Sequence, residues 1–160
     1  MNKDGLISQI HDLLAQELNT LLNASDQAHR SATHRESKAE NKYDTLGLEA
    51  AYLAHGLSLR AQQLQQTIAA FQQWQPPILT AEDAIALGAV VTLQSESGSE
   101  RWLLLAACGG GLKVHCGGVE VTVVTTEAPL GKALLGKRLD DEVVLDVGGV
   151  ISLYHVVKLA

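Results

Sequence analysis

The feature that most constrains this chain is a pair of apolar stripes that mirror each other across a polar gap. Ile7, Ile10, Leu14, Leu18 and Leu21 recur at spacings of three, four, four and three, and Leu46, Leu53, Leu57, Leu64, Ile68 and Phe71 at seven, four, seven, four and three. Such spacings put each set on one face of a helix, because a helical turn takes 3.6 residues. From about Asp26 to Asp44 the chain is polar and charged, with almost no large apolar side chain. The midpoint of Ile7 and Phe71 is residue 39, and so is that of Leu14 and Leu64. Folding back there matches stripe to stripe, which predicts an antiparallel α-helical coiled-coil hairpin over residues 1–75 with its tip at about residues 36–44. An arm of ~30 residues is about 45 Å long. Many facing positions are Ala, Gln or Ser, so each arm depends on the other for most of its stability.

The second half of the chain has a different grammar. Of 14 glycines only Gly5, Gly47 and Gly56 precede residue 76, and all three prolines follow it. Gln75-Pro76-Pro77 ends the second helix, since proline lacks an amide donor and the residue before it disfavours helical geometry. Residues 76–81 are then a linker and residues 82–160 a second domain. Within it, short β-branched runs at 89–93, 101–106, 112–116, 119–125, 143–147 and 150–159 read as strands, separated by turn signals such as Ser97-Gly98-Ser99 and Gly148-Gly149. Pro129 to Leu135 reads as one short helix, opened by proline and stopped by Gly136. The fold class is α+β, a helical hairpin followed by a small β domain with one short helix.

Charge and composition exclude several functions. The net charge is −6, with six basic against eight acidic residues before residue 76 and six against ten after it. Neither half neutralises a phosphate backbone, so independent DNA binding is not expected. Apolar runs such as Leu103 to Cys108 are too short for a bilayer. The opening Met1-Asn2-Lys3-Asp4 starts no signal peptide, and a cytoplasmic address follows as the expectation. Cys108 and Cys116 lack the paired spacing of a zinc site and are expected to be free thiols, buried or half-buried. His11, His55 and His155 are scattered and suggest no metal site. No nucleophile elbow or phosphate loop occurs.

Ala128-Pro129-Leu130-Gly131-Lys132-Ala133-Leu134-Leu135-Gly136-Lys137, followed by Asp140-Asp141-Glu142-Val143, resembles the Ser-Pro-x-[Ala/Gly]-[Arg/Lys]-x-Leu-[Ile/Leu]-Gly-Lys and [Gly/Asp]-Asp-x-Val stretches of the bacterial transcript-cleavage factors GreA and GreB. Ala128 stands where that family usually has serine. Leu87 to Leu93 is similar to the family's first strand, and the domain order is similar over nearly the whole chain. The resemblance implies an FKBP-like β domain that docks on RNA polymerase, with Pro129, Leu130, Lys132, Leu134 and Lys137 as candidate partner-binding residues. It also implies a tip that enters the polymerase secondary channel, where an Asp-x-x-Glu-Asn motif helps to place magnesium and water for RNA cleavage. Here the tip reads Arg35-Glu36-Ser37-Lys38-Ala39-Glu40-Asn41-Lys42-Tyr43-Asp44. Glu40-Asn41 matches the motif's second half. Glu36 precedes Glu40 by four residues where the motif has three, a spacing that still keeps both on one helical face, with Asp44 extending it.

On this reading Glu36, Glu40 and Asp44 assist catalysis, Asn41 and Tyr43 support the tip, and Glu36 and Glu40 ligate a magnesium ion only together with RNA polymerase. No cofactor is bound by the chain alone, and the RNA 3′ end is met only inside the polymerase complex. The chain would be an accessory factor rather than an enzyme. His29, Arg30, His34 and Arg35 form a weakly basic patch below the tip. Three alternatives keep the fold and change the role: a secondary-channel inhibitor without cleavage activity, a peptidyl-prolyl isomerase with a dimerisation arm, and a module binding another protein, as in Gre-fold regulators of nucleoside diphosphate kinase. Those regulators have a much shorter hairpin. An isomerase pocket is aromatic-lined, and this domain supplies only Trp102 and Tyr154.

Overall fold

The computed structural model describes residues 2–33 and 46–160. The chain divides into two compact units, residues 11–72 and residues 1–10 with 73–160. There are two long helices, α1 (Lys3–Thr33) and α2 (Leu46–Gln73), and the first unit consists of α1 from His11 onward and α2 as far as Gln72.

On α2 the shielded positions include Gly47, Ala50, Ala54, Leu57, Ala61, Leu64, Ile68 and Phe71, alternating three and four apart as a coiled-coil seam requires, with Thr67 half-buried beside Ile68. One expected stripe residue is misplaced: Leu53 is 58% exposed, and Ala54 beside it is fully buried. The reason lies across the seam. The Ser25 hydroxyl donates to the Ala54 carbonyl at 3.4 Å and lies 2.9 Å from the Ser58 hydroxyl, which itself donates to Ala54 at 2.8 Å. Helices close enough for a serine to reach a facing backbone carbonyl have no room for leucine between them. Ile7 is similarly only half-buried, while Leu6, Ile10 and Leu14 are buried along a ridge of four-residue steps. The register agrees with the mirrored stripes: the Ser25 and Ala54 pairing is centred between residues 39 and 40, and the Arg60 and Glu17 ion pair, 3.5 Å apart, between residues 38 and 39.

The second unit is a six-stranded sheet in the order β3-β4-β2-β1-β6-β5. Its strands are β1 (Val90–Ser95), β2 (Glu100–Ala106), β3 (Lys113–Cys116), β4 (Val119–Thr125), β5 (Glu142–Val147) and β6 (Val150–Leu159). β2 and β4 pair in parallel, and every other pairing is antiparallel. The helix α3 (Pro129–Leu134) packs on β5 and β4. One sheet face contributes Val91, Leu93, Leu103, Leu105, Val124, Val143 and Val156 to the core, joined by Ile85 and Leu134. Val90, Leu104, Val121 and Val123 point the other way and are buried as well. Burial of both faces explains why Val90-Val91 of β1 and Leu103 to Ala106 of β2 are consecutive apolar residues, which would alternate with polar ones in a one-faced sheet.

Both cysteines are reduced. Cys116 ends β3 beside Val119, whereas Gly110, two residues after Cys108, lies against Thr125. They therefore sit at opposite ends of β4, whose seven residues span roughly 20 Å, far beyond disulfide reach. Burial pushes the half-buried Cys108 thiol up from its ordinary pKa, so it is a poor nucleophile.

Candidate functional site: the α3 segment and the hairpin tip

The segment that carries the family resemblance forms α3 and its exits, and most of its residues have a reason inside the fold. Ala128 caps the helix in an extended conformation with no side-chain hydrogen bond, as expected where alanine replaces serine. Pro129 opens the first turn, where a missing amide costs nothing. Gly131 passes so close to β4 that a Cβ would lie 2.0 Å from the Thr125 carbonyl oxygen. Leu134 is fully buried in the core. Gly136 leaves the helix at φ 79°, which lets its amide donate to the Ile85 carbonyl at 2.9 Å while the Ile85 amide donates to Lys137 at 2.7 Å. Asp140 takes φ 67°, the left-handed region that glycine enters freely and Asp more readily than most other residues. The Asp141 carboxylate accepts from the Arg138 amide at 2.8 Å, closing the turn into β5.

What this leaves for a partner is smaller than the motif. Pro129 and Lys132 are exposed, and Leu130 and Lys137 are half-buried. Leu134 presents no surface, so its part is to hold α3 in place. Lys132 lies 3.4 Å from Glu127, an exposed ion pair of little energetic weight. Leu135, at the C-cap of α3, is 43% exposed, a position that the sequence does not single out because a leucine next to a buried leucine reads as core.

Glu36, Glu40, Asn41, Tyr43 and Asp44, like His34 and Arg35, lie outside the described residues. The flanking helical turn modifies the basic patch expected below them. Arg30 is 2.7 Å from Asp26 one turn earlier, so its charge is met within α1, and His29 is exposed. Among the described residues no group of three or more His, Cys, Asp or Glu could hold a metal ion, and no helix is long and apolar enough to cross a membrane.

A cleft of about 390 Å³ opens on the sheet between Glu100, Arg101, Trp102, Lys113, Glu120 and Thr122. Most of its charges are already paired: Lys113 donates to Glu120 at 2.8 Å, and this bond holds the Glu120 carboxyl below the usual carboxylate range, while Arg101 reaches only the Tyr154 hydroxyl at 3.4 Å. Lys158 lies 4.8 Å from the centre of the Trp102 ring and 3.5 Å from Glu100. Trp102 is thus the one aromatic lining a polar cleft, and an ammonium covers its ring.

No family model and no curated protein matches the chain. Among solved structures, it is similar to the GreA factor homolog 1 of Thermus thermophilus at 23% identity and TM-score 0.40, over 94% of both chains. It is also similar to the same factor of Thermus aquaticus, at 22% identity and TM-score 0.38 over 92% of both chains. The prokaryotic transcription elongation factor GreA/GreB from Nitrosomonas europaea matches 62% of this chain and 78% of its own, at 22% identity and TM-score 0.39. At these scores the likenesses carry no argument about activity or partners.

Proposed function

We propose that this chain is a Gre-like transcription factor that binds RNA polymerase and carries the carboxylates Glu36, Glu40 and Asp44 into the secondary channel. The observation that supports it is the joint occurrence of two features in one chain. The stretches Ala128 to Lys137 and Asp140 to Val143 resemble the family pattern, with Ala128 in place of serine, and a long helical hairpin precedes them with the Glu40-Asn41 pair in the sequence between its arms. The α3 surface of Pro129, Leu130, Lys132 and Lys137, with Leu135, docks the factor. The tip then reaches a site whose remaining ligands belong to the polymerase. Paired carboxylates suit magnesium, a hard cation that takes few protein ligands. When bound there, magnesium activates a water and stabilises the charge of phosphodiester cleavage. Glu36 and Glu40 would hold it, and Asn41 and Tyr43 would orient the tip.

The test is RNA shortening in stalled elongation complexes, with polymerase binding measured in parallel. Cleavage that rises with the native chain and is lost in Glu40→Gln at unchanged binding is the expected result. Binding without any shortening rejects the cleavage role. The four-residue spacing of Glu36 and Glu40 favours one second reading, a channel-blocking regulator. In that case Glu40→Gln retains inhibition of transcription.

A further inference from the structure

The β5–β6 hairpin combines three properties that the functional reading does not use. First, β5 is an edge strand, paired among the described residues only with β6, so one row of its backbone groups faces outward. Second, the hairpin exposes apolar side chains: Val144 is 51% accessible, Val147 54%, Val150 68% and Ile151 69%. Third, it is acidic. No Lys or Arg occurs between Arg138 and Lys158, while Asp140, Asp141, Glu142 and Asp146 do. Because Val143 points into the core, the alternation of a strand puts Glu142, Val144 and Asp146 together on the opposite face. Neither Glu142 nor Asp146 has an ion-pair partner among the described residues; Asp146 accepts only the Gly149 amide at 3.0 Å.

We infer that β5 is a docking edge for an extended segment of another protein that carries an apolar residue flanked by basic ones, in a basic-x-apolar-x-basic pattern. Backbone hydrogen bonds to β5 supply the affinity, and the two carboxylates flanking Val144 select the sequence. Charge decides against a second copy of this chain. Pairing β5 with itself in antiparallel register sets Glu142 and Asp146 against the same residues of the other copy. The opposite edge, β3, offers Lys113 and His115, but Glu120 already faces both, at 2.8 and 4.0 Å. The inference is independent of whether the hairpin tip enters RNA polymerase.

The test uses the full chain and a synthetic strand, acetyl-Thr-Lys-Thr-Val-Thr-Lys-Thr-amide, with a control in which glutamate replaces both lysines. Titration followed by amide NMR is expected to shift β5 resonances and leave those of β3 unchanged, more strongly at low salt. The double variant Glu142→Lys/Asp146→Lys is expected to lose about tenfold in affinity for the basic peptide and to bind the acidic one instead. A single change, Val144→Lys, gives the same loss without touching the carboxylates. Equal binding of the two peptides, shifts confined to other strands, or no shift at about 1 mM peptide overturns the proposal. So does sedimentation that finds a dimer whose protected amides are those of β5.

Discussion

The helical unit and the sheet unit differ in how they use side-chain size. The sheet buries leucines and valines on both faces of β1 and β2 and fastens α3 through fully buried Leu134. The hairpin seam shrinks along α2, from Phe71 and Leu64 through Ala61 to Ala54, and meets Ser25 and Ala28 of α1. A dense core resists change at every position. A seam of small residues instead gains close backbone approach, with little apolar area to lose, so the two units should answer opposite kinds of substitution.

Truncation should break the sheet unit first. Leu134→Ala leaves a cavity beneath α3 and is expected to cost roughly 2–5 kcal/mol, read as a lower unfolding midpoint in denaturant. Leu57→Ala in the hairpin, where leucine is only half-buried, is expected to cost about 1–2 kcal/mol, because less surface is returned to water. Equal losses would erase the contrast.

Enlargement sharpens it. Gly131→Ala forces a methyl against the Thr125 carbonyl oxygen and should cost about 3 kcal/mol, the upper end for overpacking. Ser25→Leu should cost about 1–3 kcal/mol by parting the helices. The smaller Ser25→Ala should cost about 1 kcal/mol, since Ser58 keeps its bond to Ala54. If Ser25→Leu were tolerated as well as Ser25→Ala in thermal melts, the close seam would be wrong.

The smallest effect concerns the turn before β1. The Thr80 amide and hydroxyl donate to the Asp83 carboxylate at 2.7 and 2.8 Å and hold its pKa below the ordinary carboxylate value. A depressed pKa means that the native state favours the ionised form. The contribution is therefore complete above the ordinary range and lost as pH falls through the lowered value. Asp83→Asn is expected to lower the melting temperature slightly at neutral pH and to match the native chain in strong acid. A difference that persists in acid would assign the effect to something other than this carboxylate.

How much of this was legible follows from what each pattern encodes. The strand runs from Val119 to Thr125 and from Val150 to Leu159 were readable to the residue, since β-branched runs between glycines have few other solutions. Leu53 was misread because apolar periodicity weighs large residues, whereas a close seam selects small ones. Leu134 read as part of a surface because motif resemblance does not separate residues that build a fold from residues that display it. The tip residues Glu36, Glu40 and Asp44 are known here by spacing alone, and the cleavage assay is their measure.

By itself the sequence determined the element order and the acidic character of β5, which are local patterns or sums of charge. Only the tertiary structure decided that Ala54 and Ser25 form the seam, that Gly131 must be glycine and that both faces of β1 and β2 are buried. It alone showed that, among the described residues, Glu142 and Asp146 on an outer strand have no ion-pair partner while Lys113 is matched by Glu120. The physical reason is common to all of these: close approach and charge neutralisation are properties of pairs distant in sequence, and no single position carries them.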